Sequence, residues 1–343
     1  MATIEDVANL AGVSIATVSR VLNNSYIVSQ EKKERVLAAV KELNYQPLRQ
    51  SRRTQNKIIL VSGTSLFEDV LDGMKDEAKK LDYDLVYCRC DSMQELMSMT
   101  IVANELVDGI ILMNMIASKD ELRALFNKVP FVQAGEFLNI PHSFTVSIHE
   151  LRAANEIVNH LISLGRKRIA MVVPLILGKA YHFIHEREMG YRLALAEADI
   201  KYDPKLRIQA DFSTTSGMDA ARKILALEER PDAVFCTTDT LATGCITVFN
   251  QHGIRIPEDI AVTGFDNAEF AELCSPSLTT IDQPFYEIGC ECVQLLLSLI
   301  NGRSTEIGRH VMIEHKLKLG ASTIGQEAYE EITRKALKRM DEE

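Results

Sequence analysis

Residues 14–20 read Ser-Ile-Ala-Thr-Val-Ser-Arg, a run that suits close approach to a nucleic acid. Val18, Val21 and Leu22 recur at helical spacing and form an inward face. That leaves Ile15, Ala16, Thr17, Ser19 and Arg20 outward. Small and hydroxylated side chains let a helix reach base edges and phosphates, and an arginine among them can read a guanine or hold a phosphate. The same face would equally suit a plain three-helix mini-domain whose polar side is solvated.

The neighbouring residues predict the elements that position this helix. Ile4, Val7, Ala8 and Ala11 fall on one face of a preceding helix, with Thr3 as its N-cap and Asp6 in its acidic first turn. Gly12 ends it, because glycine takes the left-handed conformation without a Cβ penalty. Ser14 caps the second helix, and Asn23-Asn24-Ser25 breaks it. A third helix is predicted from about Glu31 to Asn44, with Val36, Leu37, Val40 and Leu43 inward. Three short helices with a tight Gly-Val turn describe a helix-turn-helix.

Charge is divided unevenly along the chain. The 343 residues carry a net charge of −10, which taken as an average argues against a nucleic-acid partner. Residues 1–57, however, hold nine Lys/Arg against five Asp/Glu, leaving 29 against 43 in the remainder. A basic appendage on an acidic body is the pattern of a nucleic-acid-binding segment.

The run from Thr3 to Asn23, TIEDVANLAGVSIATVSRVLN, and its continuation to Tyr45-Gln46-Pro47 resemble the headpiece of the LacI/GalR family of bacterial transcription regulators. The resemblance implies that the second helix lies in the DNA major groove, with Ile15 and Ala16 as specificity positions. It implies that Ser14, Thr17, Ser19, Arg20 and Asn23 hold bases and phosphates, with Val28 and Ser29 nearby.

Leu48 to Lys57 (LRQSRRTQNK) has no core-forming pattern, and its Arg49, Arg52, Arg53 and Lys57 suit a phosphate backbone or a solvated linker. In the family this stretch forms a hinge helix whose leucine wedges into the minor groove and kinks the operator. Here it is some four residues shorter than usual; Leu48 stands in place of the usual asparagine, and Thr54 falls where the leucine would be. The expectation is an operator bent less, held by major-groove and phosphate contacts.

Beyond residue 57, apolar runs alternate with amphipathic ones. Strands are predicted at 58–62, 84–88, 107–113, 168–173, 232–236 and 260–265, with helices between them from about Glu68 to Leu81 and Met93 to Leu106. Near-continuous apolar strands separated by helices indicate parallel sheets buried on both faces, and two series indicate two doubly wound lobes. The fold class expected is an all-α helix-turn-helix headpiece plus an α/β periplasmic-binding-protein-like core of two parallel-sheet lobes.

Several enzyme signatures are missing. The first strand leads into Ser62-Gly-Thr-Ser-Leu-Phe67, which is not G-x-G-x-x-G; no Walker A sequence and no G-x-S-x-G elbow occurs. The Cys88/Cys90 and Cys290/Cys292 pairs lack zinc spacing and read as buried reduced thiols. His182, His185 and Glu186 cluster without a partner motif and read as a solvated loop. No enzyme, metal or cofactor is expected. With no apolar run of the ~18–20 residues that a membrane span needs and no signal segment, a cytoplasmic protein is expected.

The resemblance continues through Leu164-Gly-Arg-Lys-Arg-Ile-Ala-Met, Arg187-Glu-Met-Gly-Tyr, Pro231–Asp239, Ile256–Asp266 and Leu278–Pro284. It implies a small-molecule effector in the cleft between the lobes, with Arg187 and an opposing Asp266, Phe212 stacking on the ligand, Thr238 beside it and Phe285 closing the cleft. An Arg–Asp pair orients polar groups and aromatic faces bury a ring, although the pair would also suit a structural ion bridge and the rings ordinary core. Leu66 and Phe67 line the shortened first loop, Gly135-Glu136 replaces a common Asp-Arg, and His149 holds a crossover position often taken by aspartate. These departures point away from a simple hexose and leave open a sugar phosphate, another anion or no small molecule.

The expected organisation is a headpiece at 1–47, a linker at 48–57 and an amino-terminal lobe from 58–148 with 286–312. A carboxy-terminal lobe from 149–285 with 313–322 and a helical extension at 323–343 complete it. The extension, with Tyr329, Ile332, Ala336 and Met340 on one face, is expected to pack on its own lobe. The function implied is a homodimeric repressor on a palindromic double-stranded operator, modulated by effector. The alternative is a cytoplasmic ligand-binding protein of the same fold without regulatory DNA activity.

Overall fold

The computed structural model describes residues 4–22, 28–43, 56–63, 67–138, 143–174, 181–302 and 308–340. The chain divides into two compact units, 1–58 and 59–343.

The first unit holds helices Ile4–Ala11, Ile15–Leu22 and Gln30–Glu42. Val7, Ala8, Ala11, Val18, Val21, Val36 and Ala39 are buried together as its core. Gly12 takes φ 62° at the turn. Arg35 locks the third helix onto that turn, donating from Nε and Nη2 to the Ala11 carbonyl and from Nη2 to the Gly12 carbonyl at 2.9 Å. Leu37, expected inward, is exposed. The buried stripe runs through Val36, Ala39, Val40 and Leu43, and so small a bundle covers only that narrow face.

The second unit is α/β. Strands β1 (Ile58–Gly63), β2 (Asp84–Arg89), β3 (Gly109–Met113) and β4 (Phe131–Ala134) alternate with helices, and β5 (Phe144–Ile148) follows β4. After β5 come β6 (Ile169–Pro174), β7 (Arg207–Ala210), β8 (Ala233–Cys236) and β9 (Ala261–Thr263), then β10 (Thr280–Asp282), β11 (Arg309–Ile313) and β12 (Lys316–Lys318). One sheet has the order β11-β5-β4-β3-β1-β2 and another β7-β6-β8-β9, while β10 and β12 form a two-stranded antiparallel pair. The β1–β3, β3–β4, β4–β5 and β5–β11 pairs are parallel, as are those of the four-stranded sheet. Every residue of β3, β5, β6 and β8 is buried, which is why β3, β6 and β8 read as near-continuous apolar runs; β5, with Thr145 and Ser147 also buried, alternates and is not among the strands that the sequence predicts. The chain leaves the first sheet after β5, builds the second, and returns through helix Phe285–Ile300 to add β11.

Two local expectations are corrected. The helix foreseen over Met93–Leu106 is two pieces, Met93–Ser98 and Thr100–Ala103, parted by an extended Met99. The β-branched Thr100-Ile101-Val102 that follows favours helix weakly. The carboxy-terminal helix, Gln326–Met340, is exposed from Glu330 to Ala336, so Ile332 and Ala336 are not packed inward as expected, while Tyr329 is half-buried.

Candidate functional site

In the first unit, Ser14 Oγ accepts the Thr17 N–H at 3.2 Å and shares a 2.9 Å hydrogen bond with Thr17 Oγ1. This fixes the start of the helix Ile15–Leu22. Ile15 is exposed at its first position, and burial of Val18 and Val21 orients it. Ser29 is the N-cap residue of the third helix, and Val28 packs partly against the core. Ala16, Ser19 and Arg20 belong to the second helix, but their side chains lie outside the described residues, as do Asn23, Arg49 and Arg52 altogether.

In the second unit, a cavity of about 490 Å³ opens at the carboxyl ends of the strands, lined by residues from both larger sheets. Arg187, one turn and a half into the helix His182–Glu197, is its buried cation. Its Nε donates to Glu150 Oε2 at 2.7 Å, and its Nη1 donates to the Thr237 carbonyl at 2.6 Å and to Asp266 Oδ1 at 3.4 Å. The guanidinium lies 3.5 Å from the Phe265 ring centroid and 5.0 Å from that of Phe183. Burial works against its charge, but Glu150 and then Asp266 outweigh this and hold its pKa above the ordinary arginine value.

Asp266 sits at φ 110°, a conformation that a non-glycine residue adopts only when its surroundings force it. Its N–H bonds the Ile281 carbonyl at 3.0 Å, and Gln283 Nε2 donates to its Oδ1 at 2.7 Å. Nearby, Asp239 accepts the Thr280 hydroxyl and the Ala268 N–H, both at 2.7 Å, stapling the loop that carries Asp266. Burial pushes Asp266 up to about 7 despite Arg187, and burial plus the Asp266 charge pushes Asp239 up to about 8.

Aromatic rings supply the apolar walls. Phe67 and Phe285 stack at 4.0 Å with an 18° interplanar angle, joining the start of helix Glu68–Lys80 to that of helix Phe285–Ile300. Opposite them, Tyr181 meets Phe212 edge-on at 5.5 Å and Phe183 at 5.2 Å. Thr238 is the N-cap of helix Asp239–Gln251, its Oγ1 accepting the Leu241 N–H at 3.3 Å. Thus Phe67, Arg187, Phe212, Thr238, Asp266 and Phe285 all line the one cavity. Leu66 lies outside the described residues. His149 does not line it: the side chain is exposed and turns back to cap its own helix, Nδ1 accepting the Arg152 N–H at 3.3 Å.

Among the described residues, no group of three His, Cys, Asp or Glu side chains is placed to hold a metal ion. The His182/His185/Glu186 cluster is helical rather than a loop, with His182 Nε2 3.9 Å from Glu186. Of the cysteine pairs, Cys90 and Cys292 are buried, whereas Cys88 and Cys290 are partly exposed.

Comparison with known proteins places this geometry. The description "Bacterial regulatory proteins, lacI family" matches residues 3–48, and "Periplasmic binding protein-like domain" matches residues 158–323. The HTH-type transcriptional repressor CytR of Escherichia coli (strain K12) is 35% identical over 327 residues, 91% of this chain and 93% of that protein. The chain belongs to the lacI family of bacterial regulatory proteins. The HTH-type transcriptional repressor PurR of Vibrio cholerae is 33% identical over 321 residues, covering 89% of this chain and 94% of that one. Among solved structures, a transcriptional regulator CelR–cellobiose complex is similar with a TM-score of 0.72 and 30% identity, over 94% of this chain and all of that one. The lac repressor dimer bound to operator and the anti-inducer ONPF gives a TM-score of 0.69 at 27% identity, over 94% and 99%.

For this member of the lacI family, sequence reasoning missed the carboxylate that holds Arg187. His149 was singled out at the crossover, but the next residue, Glu150, faces the cavity. A strand-to-helix junction rotates successive side chains by unequal angles, so a one-residue offset there is invisible to periodicity. Tyr181 and Phe183 were also missed. Their signal was present in two aromatics flanking His182 immediately before the Arg187 turn.

Proposed function

We propose that the protein is a sequence-specific, homodimeric repressor that binds a palindromic operator through its helix-turn-helix unit and responds to a small molecule held in the 490 Å³ cavity. The observation that carries this reading is the buried Arg187, clamped between Glu150 and Asp266 in an aromatic-walled cavity, in a chain whose first unit is a helix-turn-helix. Ser14, Ile15, Ala16, Thr17, Ser19, Arg20, Asn23, Val28 and Ser29 contact the operator, with Arg49 and Arg52 along its phosphates. Phe67, Arg187, Phe212, Thr238, Asp266 and Phe285 hold the effector, and Glu150 is added to that set. Effector favours one arrangement of the two lobes, and the dimer converts it into a change in operator affinity.

The charge balance also bears on the effector. Of the charged groups that line the cavity, Glu150 and Asp266 are paired with Arg187, whose donors are engaged by protein acceptors, and Arg89 lies on the same lining. The aromatic walls and the few convergent polar groups suit a ring compound that carries hydrogen-bonding groups, and displacement by neutral against phosphorylated metabolites decides its charge. The protein acts in the cytoplasm and catalyses no reaction; no helix among the described residues is long and apolar enough to cross a membrane. The domain limits are those read from the sequence, with the lobes built on the six-stranded and four-stranded sheets.

The test is selection of operator fragments from a random duplex pool by the full chain, followed by displacement with a library of neutral and phosphorylated metabolites. Phe212→Ala should keep operator binding and lose displacement. Equal loss of binding and displacement, or no enriched palindrome, would refute the reading.

A further inference from the structure

The helix that carries Arg187 begins without a cap of its own. Tyr181, its N-cap residue, makes no side-chain bond to the first turn, and that turn holds no acidic residue. The free N–H groups of a helix start need acceptors, and a carboxylate is the favoured one. Here the carboxylate comes from 46 residues earlier. Glu136, two residues beyond β4 of the six-stranded sheet, accepts the His182 N–H with its two oxygens at 2.7 and 2.9 Å, and the Phe183 N–H bonds it as well. The helix it caps lies on the four-stranded sheet, where Tyr191 Oη donates to the Ile169 carbonyl at 2.8 Å.

Glu136 is itself held firmly. Gly135 turns at φ 71°, and a Cβ there would run into Asn114 Oδ1, the atom that accepts the Glu136 N–H at 3.2 Å. Phe137 then wedges between the imidazoles of His182 and His310, each 4.7 Å away, and His310 bonds Ser147 Oγ at 2.7 Å. Asn114 and Gly135 line one wall of the cavity, and Tyr181 and Phe183 line the other. The Glu136–His182 contact lies at the seam where the two walls meet.

We propose that Glu136 is a positioning residue of this cavity, a strap by which the wall built on β3 and β4 holds the wall built on the Arg187 helix. The strap sets the distance across which a ring can be gripped, and opening of the cleft must break it. Its bearing on effector rests on the functional reading above, whereas the strap itself does not.

The strap responds to pH. The groups facing Glu136 are the His182 imidazole with Glu186 behind it, Glu150 across the cavity, and His310 beyond Phe137. Burial, with a smaller push from Glu150, raises Glu136 to about 7. A cleft that opens wets this carboxyl and returns it to the ordinary range, so the closed seam holds the proton more tightly. Closure is favoured at lower pH and weakens as pH rises through 7.

Hydrogen exchange on the full chain, with no ligand added, tests the strap. Glu136→Ala should speed exchange roughly fivefold at the amides of residues 181–186 and also at those of Asn114 and Gly135 on the opposite wall. Glu136→Gln keeps an acceptor oxygen and should stay within about twofold of the parent at pH 6. Faster exchange confined to 181–186 marks a merely local cap and overturns the proposal, as does no change. Should the alanine variant not fold, the parent and Glu136→Gln are compared between pH 6 and pH 8.5, after correction for intrinsic rates. The parent should gain about tenfold more opening over that range, and equal slopes overturn the strap. Failure of ligand to displace operator would leave these exchange patterns standing, so the two readings fail separately.

Discussion

Arg187 Nε donates to Glu150 Oε2 at 2.7 Å, and both groups are buried. With Asp266 on the other edge of the guanidinium, one cation answers two carboxylates. Removing it would leave the carboxylates without a countercharge in a dry site. Arg187→Met should therefore destabilise the second unit by about 3–5 kcal/mol in urea unfolding, the usual effect of breaking a buried ion pair from one side. Pairing it with Glu150→Gln should recover part of that loss. Additive destabilisation in the double variant would show that the two side chains are not energetically coupled.

The carboxyl groups around the cavity predict a stability that declines with alkalinity. Asp266 and Asp239 are raised to about 7 and about 8 from the ordinary aspartate value of 3.8, and Glu136 to about 7 from 4.5. A carboxyl raised in the folded state binds its proton more tightly there than in the unfolded chain. Its stabilisation is complete below the unfolded pKa and is lost as pH rises through the folded one. Urea midpoints of the second unit should fall between pH 6 and pH 9, and Asp239→Asn should flatten the fall. A midpoint that climbs over this interval would contradict the burial ascribed to these groups.

How much of this was legible in the sequence differs by level. Strands β3, β6 and β8 are buried throughout, so their apolar runs announced a sheet covered on both faces, whereas β5, which interleaves Thr145 and Ser147 among its apolar residues, gave no such signal. The helix-turn-helix core was readable because Val7, Ala8, Ala11, Val18 and Val21 keep a 3.6-residue rhythm. Leu37 broke the rule, since an apolar residue one step off a narrow stripe looks the same in sequence. At the cavity, Arg187, Asp266, Phe67, Phe212 and Phe285 came by resemblance, Tyr181 and Phe183 did not come at all, and periodicity supplied none of them. Glu136 was noticed as a departure from the family pattern, but its partner is 46 residues away across a cleft, and no local signal encodes such a pairing.

Arg35 offers a test of the first unit. Its guanidinium donates to the Ala11 and Gly12 carbonyls, the two acceptors at the turn between the first and second helices. A turn held by a charged donor from the third helix fixes the angle at which the second helix is presented. Arg35→Ala should lower the stability of this unit by about 1.5–3 kcal/mol, the range for hydrogen bonds to a charged group. Melting of the amide signals of residues 4–43, followed by NMR on the full chain, measures it. An unchanged melting point would mean that solvent replaces the arginine at no cost.

Arg20 separates base reading from phosphate holding. Should it read a guanine, Arg20→Ala should cost about 1–3 kcal/mol against the selected operator and relax the preference at one position. Should it hold a phosphate, the loss should be uniform across sequences and the salt slope should fall by roughly one. Titrations at several salt concentrations against the operator and single-base variants distinguish the two outcomes. No loss on any sequence would remove Arg20 from the interface.

The linker gives the remaining prediction. Residues 44–55 lie outside the described structure, so the inference rests on sequence. A side chain that wedges between base steps must be bulky and apolar, because it replaces stacking that it has disrupted. Thr54 is short and hydroxylated, whereas Arg49, Arg52 and Arg53 supply charge that suits the outside of a duplex. The operator complex should therefore be bent less than the kinked complexes that a leucine wedge produces, with affinity that depends steeply on salt. Thr54→Leu should increase the bend measured by circularly permuted fragments or by end-to-end fluorescence transfer. A strong kink in the parent complex, unchanged by Thr54→Leu, would show that another residue is the wedge.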